Sequence, residues 1–303
     1  MARGQAAGLS KPVQGVARPG ALAAVLRYMR RNPSLVVGII LLSALILFMG
    51  IGYIVVDTSK SRALSVATLQ PPSMQYPFGT DRQGRDLLAT MVAGTPLTLR
   101  IGFIAGFLGV GIGSILAFTA AYYRGMVDTV IRGVVDVGLT VPGLMVLIII
   151  AVSVRESLTV NEMALIVASL AWLSPTRTIR SQVLTLRERA FVDVARLSGM
   201  SGPEIIVKEL MPNLLPYLAA TLVNAVSNAI LASIGLEVLG LGPMDAPTLG
   251  MTLYWVNYNA AIINGWWWWW TAPIVIILIV FLGLFFLTVG LDEIANPRLR
   301  RAV

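Results

Sequence analysis

Three runs without a single charged side chain constrain this chain more than any other feature: Ser34–Val56, Ile101–Tyr123 and Thr271–Leu291. At 1.5 Å per residue a helix over the first run reaches about 34 Å, enough to cross a hydrocarbon core about 30 Å thick. In lipid every backbone polar group must be satisfied within its own segment, so such runs become helices and the fold class is all-α. Composition agrees: 56% of the residues are hydrophobic and 13% are charged, about half the charge of an ordinary soluble domain. Basic residues ahead of Ser34 could mark a signal peptide. The run is too long for that, and no small-x-small cleavage site follows it, so we read it as an uncleaved first transmembrane helix.

Three further apolar segments bring the expected count to six. One begins near Asp128 and ends near Val154. It carries Arg132 and Asp136, spaced i,i+4 so that they can pair on one face, and Pro142, which should kink it. Another starts near Glu162 and is cut by Pro175. The fifth span, Tyr217–Leu236, carries Thr221, Asn224, Ser227 and Asn228 as a polar stripe. Amides facing lipid tails are costly, so the stripe must face protein or water, in interhelical hydrogen bonds or along a translocation path. Asp136, paired with Arg132, is a candidate for the same path.

The net charge of +8 could point to nucleic acid. In a membrane chain it is better read as the excess of Lys and Arg on cytoplasmic segments. Basic clusters ahead of the first span, around 177–208 and at Arg298, Arg300 and Arg301 place both termini in the cytoplasm. Lys60, Arg62, Arg82, Arg85 and Arg155 on outer segments run slightly against this. The expected layout is a basic tail 1–33, a first span 34–56, an extracytoplasmic segment 57–97, a five-span core 98–291 with a cytoplasmic loop 176–216, and a tail 292–303. With no Cys and no His, thiol chemistry, disulfides and His-ligated metal sites are excluded. No phosphate-binding G-x-x-x-x-G-K-[ST] loop occurs.

Smaller signals refine this. Gly102, Gly106, Gly109 and Gly113 form two small-xxx-small pairs that suit close helix packing in lipid. In the first outer segment, Thr80 or Asp81 can cap a short helix in Phe78–Leu88. A second outer segment opens at Leu239–Gly242 and ends in Trp266–Trp270. Five consecutive Trp suit a membrane interface; stacking on a ligand is the other reading.

The most closely specified stretch is Phe191–Pro216. Phe191–Ser198 can form a helix with Asp193 near its positive N-terminal end and Gly199 at the left-handed stop position. Ser201 with Glu204 makes a capping box, and Met200 with Ile205 a hydrophobic staple. Pro212 and Pro216 are expected to end this unit. The stretch is either a stabilised turn between two spans or a docking platform.

Asp193–Val194–Ala195, Gly199 and Pro212 resemble the "EAA" loop of ABC importer permeases. Phe78–Leu99 is similar to the FGTD-x-x-GRD segment of their oligopeptide/dipeptide subfamily. Arg31–Leu42 and Leu291–Arg300 resemble the first helix and the tail of its C-type subunit. Asp193 stands for the usual Glu, Met211 for Leu, and Thr248 where many members have Trp, with Gly250 at an altered spacing. The resemblance implies a type I permease architecture in a bacterial or archaeal cytoplasmic membrane. It implies a non-catalytic subunit that imports peptides, with the same architecture serving oligosaccharides or nickel complexes in other members. It assigns ATPase docking to Asp193, Ala195, Gly199, Ser201, Glu204, Lys208 and Pro212; the candidates for the translocation path stay those of the span reading, Asn224, Ser227, Asn228 and Asp136. It implies a second permease subunit, one or two ATPase subunits that hold Mg-ATP, an extracytoplasmic binding protein and membrane lipid as partners. No cofactor, metal or nucleic acid is expected on this chain. A secondary transporter is the alternative. A DNA-binding helix-turn-helix over 194–210 is disfavoured, because its second helix is acidic and pinned between spans.

Overall fold

The computed structural model describes Met29, residues 32–154 and residues 157–295. Arg3, Lys11, Arg18, Arg27, Arg30, Arg31, Arg155 and the terminal Arg298, Arg300 and Arg301 lie outside the described residues. The helices are α1 (Pro33–Val55), α2 (Leu87–Tyr123), α3 (Gly125–Thr140), α4 (Gly143–Ser153), α5 (Val160–Ala171), α6 (Leu173–Leu186), α7 (Ala190–Leu197), α8 (Gly202–Val238), α9 (Leu249–Tyr258) and α10 (Trp267–Ala295). Among the described residues the only extended pairing is an isolated bridge between Thr80 and Asp86.

Helix α2 is the axis of the fold. It packs against α8 on one side and against α5 and α6 on another, while α1 lies against α10 at the periphery. The glycines of α2 explain this. A Cβ on Gly102 or Gly106 would fall within 2.6 Å of Ile230 or Val226 of α8, and on Gly109 or Gly113 within 2.9 Å of Ala171 or Pro175. One pair therefore admits α8 and the other admits the α5–α6 junction. Outward residues of α1 such as Ile40, Ile46 and Ile54 are exposed, as lipid-facing side chains are.

Among the described residues four helices are long and apolar enough to cross a membrane: α1, α2, α8 and α10. The pair α3–α4 makes a fifth, bent by 85° at Val141–Pro142. The sixth apolar segment, α5, has only 12 residues, about 18 Å, and Trp172 alone separates it from α6. The single third span expected from the sequence is thus two helices, because the residue before a proline is pushed out of the helical region; Val141 has ψ 133°.

Two further boundaries differ from expectation. Helix α2 begins at Leu87, ten residues ahead of the expected end of the outer segment, and runs through Pro96. Its cap is Asp86, whose carboxylate accepts the Leu88 amide at 2.9 Å. Thr80 and Asp81 are instead buried in the turn before it and cap nothing. At the other end of the chain, Pro212 and Pro216 do not terminate a helix. Residues Ile205–Leu210 widen into a π-turn, in which the Met211 amide reaches back five residues to Ile206. The wider turn relieves the clash of a proline ring with the preceding turn, so the helix from Ser201 runs unbroken into the span.

The Trp run is more than a collar. Trp269 is fully buried against Leu87 and Val256, and the Trp268 indole N–H donates to the Thr80 carbonyl at 3.2 Å. Trp267 alone remains mostly exposed. The run staples the segment between α1 and α2 to the start of α10.

Candidate functional site

The elbow between α6 and α8 is built by local hydrogen bonds. Gly199 has φ +80°. Its amide donates to the Arg196 carbonyl at 3.0 Å, and the Met200 amide to the Ala195 carbonyl at 3.2 Å. Together they form a Schellman stop. Ser201 then starts α8. Its amide and hydroxyl donate to Glu204 Oε2 at 3.0 and 2.9 Å, in a complete capping box. Lys208 Nζ adds an i,i+4 contact to Glu204 Oε1 at 3.1 Å. The Ser201 amide, then its hydroxyl, then Lys208 pull the Glu204 carboxyl down to about 2.

The elbow is braced from beneath. Val192, Ala195, Ile205, Leu210 and Leu214 are buried against Phe118 and Ala121 of α2 and Ile179 and Val183 of α6. Arg187 donates to the Ala121 and Tyr122 carbonyls at 2.7 and 2.6 Å, satisfying acceptors at the end of α2. Its guanidinium and that of Arg196 both lie over the Tyr122 ring. Glu188 pairs with Arg124, and Arg180 holds Asp128 of α3 through two hydrogen bonds. The outer face carries Asp193, paired to Arg196 at 3.5 Å, with Val194 and Leu197, the latter 88% exposed. Of the residues assigned to docking, Asp193, Gly199, Ser201, Lys208 and Pro212 are exposed and Glu204 is half-buried. Ala195 is not on that face. It is 7% exposed and packs inward, because its position puts it on the same side of α7 as Val192.

The second feature is a cavity of about 850 Å³ along α8, walled by α4, α5 and α6. Asn224 and Asn228 line it, with Thr221 beside them. Ser227 does not line it. Six residues beyond Thr221 is 600° of helix, about 120° short of two full turns. Tyr217 does line it: the stripe runs Tyr217, Thr221, Asn224, Asn228, at i, i+4, i+7 and i+11, a turn longer than expected. Asp136 is also absent from the wall. It sits half-exposed on α3, 4.0 Å from Arg132. Ser174 and Thr178 of α6 and Asp292 of α10 add polar groups that the sequence reading missed. Glu237, fully buried at the far end of α8 and not part of the wall, also went unread in the sequence. The chemistry of the wall is apolar surface with amide and hydroxyl groups and the carboxylate of Asp292.

A braced elbow at one end of a helix whose middle lines a polar-striped cavity defines a helical membrane permease. Residues 109–301 match the family Binding-protein-dependent transport system inner membrane component, and the chain belongs to that family. It is a multi-pass membrane protein. It is 31% identical over 279 residues to a Brucella abortus protein named as a peptide transport system permease, covering 90% of this chain and 91% of that one. It is 28% identical over 275 residues to the dipeptide transport system permease protein DppC of Alkalihalophilus pseudofirmus, covering 90% and 89%. To the oligopeptide transport system permease protein OppC of Mycobacterium tuberculosis it is 33% identical over 176 residues, 58% of this chain. That match spans 60% of the length of the mycobacterial relative. An inward-facing chain of the MetNI methionine ABC transporter overlaps 68% of this chain and is itself 94% covered, with TM-score 0.48 and 23% identity.

Proposed function

We propose that this chain is a membrane subunit of an ATP-driven importer and forms half of a translocation path for peptides. The observation that carries the reading is α8 itself, whose capped elbow is continuous with the helix that lines the cavity. A force applied to Asp193, Val194 and Leu197 on α7 would pass through the braced stop at Gly199 into α8, which carries Asn224 and Asn228. Mg-ATP is held by cytoplasmic ATPase subunits that dock on the elbow. This chain performs no catalysis. A second permease subunit closes the open side of the cavity, and an extracytoplasmic binding protein delivers the peptide. Both termini lie in the cytoplasm of a bacterial or archaeal cell, and the chain resides in the cytoplasmic membrane. The relatives named for peptide and dipeptide transport support the substrate class.

The test is purification from detergent-solubilised membranes at native expression, with mass spectrometry of what co-purifies. We expect a second permease, one or two ATPases and a secreted binding protein, and ATP-dependent uptake of a dipeptide when these are reconstituted. Transport by the chain without any ATPase would replace this reading with a secondary transporter.

A further inference from the structure

Glu237 has no part in the elbow or the cavity, yet it is a carboxylate with no exposure at all. It sits in the last turn of α8, which a second Schellman stop closes at Gly240 (φ +82°), with the Gly240 amide on the Glu237 carbonyl at 2.8 Å and the Leu241 amide on the Leu236 carbonyl at 3.0 Å. Its Oε2 accepts the Thr248 hydroxyl at 2.9 Å. Thr248 is the N-cap of α9, and its Oγ1 also accepts the Met251 amide at 3.2 Å. One residue on, the Leu249 amide donates to the buried Thr98 hydroxyl of α2 at 3.0 Å. Two glycines make room for the acid. A Cβ on Gly250 would lie 2.1 Å from Oε2, and one on Gly242 would lie 2.6 Å from Glu237 Cγ. The chain also comes close beside it, where Gly94 of α2 leaves no space for a Cβ against the Pro247 carbonyl. A buried carboxylate is expensive unless it is bonded, and at a helix N-terminus it meets the positive end of the helix dipole. Three helices thus meet at one polar node, on elements far apart in sequence.

We propose that Glu237 is a positioning residue that latches α9 to the outer end of α8, so that α9 moves with the helix the elbow drives. The transmission half of this rests on the importer reading; the latch does not. Helix α8 has 37 residues, about 55 Å, with a capped elbow at one end and this node at the other. A rod gripped at both ends transmits a displacement that a frayed end would dissipate. Helix α9 is then the part of the outer face that registers the state of the ATPase.

The test is hydrogen exchange of the peptide 249–256, in the full chain and in the assembled transporter with and without the Mg-ADP-vanadate state formed from Mg-ATP and vanadate. Gly250→Ala is the informative variant. It raises the helix propensity of α9 by about 1 kcal/mol, yet it drives the carboxylate away from Thr248. We expect 249–256 to exchange at least about fivefold faster in Gly250→Ala and Glu237→Ala, with residues 220–235 unchanged. Glu237→Gln still offers an oxygen to the Thr248 hydroxyl and should restore protection. Where Glu237→Ala does not assemble, Thr248→Val decides. Unchanged exchange in Gly250→Ala and Thr248→Val, or a Glu237→Gln as unprotected as Glu237→Ala, would overturn the latch. With the latch intact, the vanadate-trapped state should alter exchange at 249–256 in the wild type and not in Gly250→Ala. An ATP response that persists in Gly250→Ala overturns the transmission. Absence of ATP-driven uptake with a sound latch removes the importer reading and leaves Glu237 as the anchor of α9.

Discussion

Gly199 and Asp81 show how much a single residue decides here. No atom lies within 4 Å of a Cβ built on Gly199, but its φ is +80°. A side chain there costs backbone strain rather than a clash, about 1 kcal/mol for Ala. We predict that Gly199→Asp leaves the subunit folded and inserted but uncouples ATP hydrolysis from uptake, read as hydrolysis persisting in reconstituted vesicles while uptake is lost. Asp81 lies in the turn before α2, where its Oδ1 accepts the Gln83 and Arg85 amides at 2.8 Å. Burial outweighs those bonds and pushes its carboxyl up to about 6. A raised carboxyl favours the protonated folded state. Its stabilising effect is complete below the ordinary value of 3.8 and is lost as pH rises through 6. Asp81→Asn keeps the amide-accepting oxygen. The variant should therefore gain stability over the wild type between pH 4 and 7, levelling off at on the order of 3 kcal/mol. Thermal unfolding in detergent at several pH values measures this, and a difference independent of pH would remove the burial account. The caps of the elbow were legible in the sequence because each bond spans five residues or fewer. The environment of Asp81 was not, because its burial is supplied by the chain around residues 64–70.

At the scale of helices, the small-residue spacing of α2 carried correct information about contact but not about partners. The sequence indicates that two faces of α2 are open to close approach. The tertiary structure gives Gly102 and Gly106 to α8 and Gly109 and Gly113 to the α5–α6 junction. Gly106→Val should overpack the α2–α8 contact, where a Cβ already lies 2.6 Å from Val226. The expected cost is about 1–3 kcal/mol, seen as a lowered unfolding temperature. The same substitution at Gly111, which faces open space, should cost little beyond propensity. Equal effects at the two positions would argue against the packing assignment. The polar stripe of α8 shows the same division. Its existence followed from residue types, but its phase was misjudged by one position at Ser227, and only the neighbouring helices fix which side is the wall.

For the whole molecule, the arrangement of α8 matters more than the number of spans. The capped second half of the elbow, the polar stripe of the cavity and the Glu237 node all lie on one continuous helix, with α2 as the common support. Asn224→Leu together with Asn228→Leu should depress peptide uptake severalfold in reconstituted vesicles, with assembly and basal ATP hydrolysis retained. Loss of assembly instead would mean that the amides serve helix packing rather than the path.

The sequence by itself determined the all-α class, the membrane location of the uncharged runs and the chemistry of the elbow. Each depends on hydrophobicity summed over one segment or on hydrogen bonds within one or two helical turns. The tertiary structure decided that α8 passes through Pro212 and Pro216, that the third span bends by 85°, that Ala195 faces inward and that Glu237 is buried beneath α9. The first three turn on local backbone geometry at a proline or on helix phase, whereas the burial of Glu237 depends on partners from elsewhere in the chain, as when the Leu249 amide meets Thr98 across 151 residues. A contact of that range leaves no periodic trace in the local sequence, so it is fixed only when the helices pack.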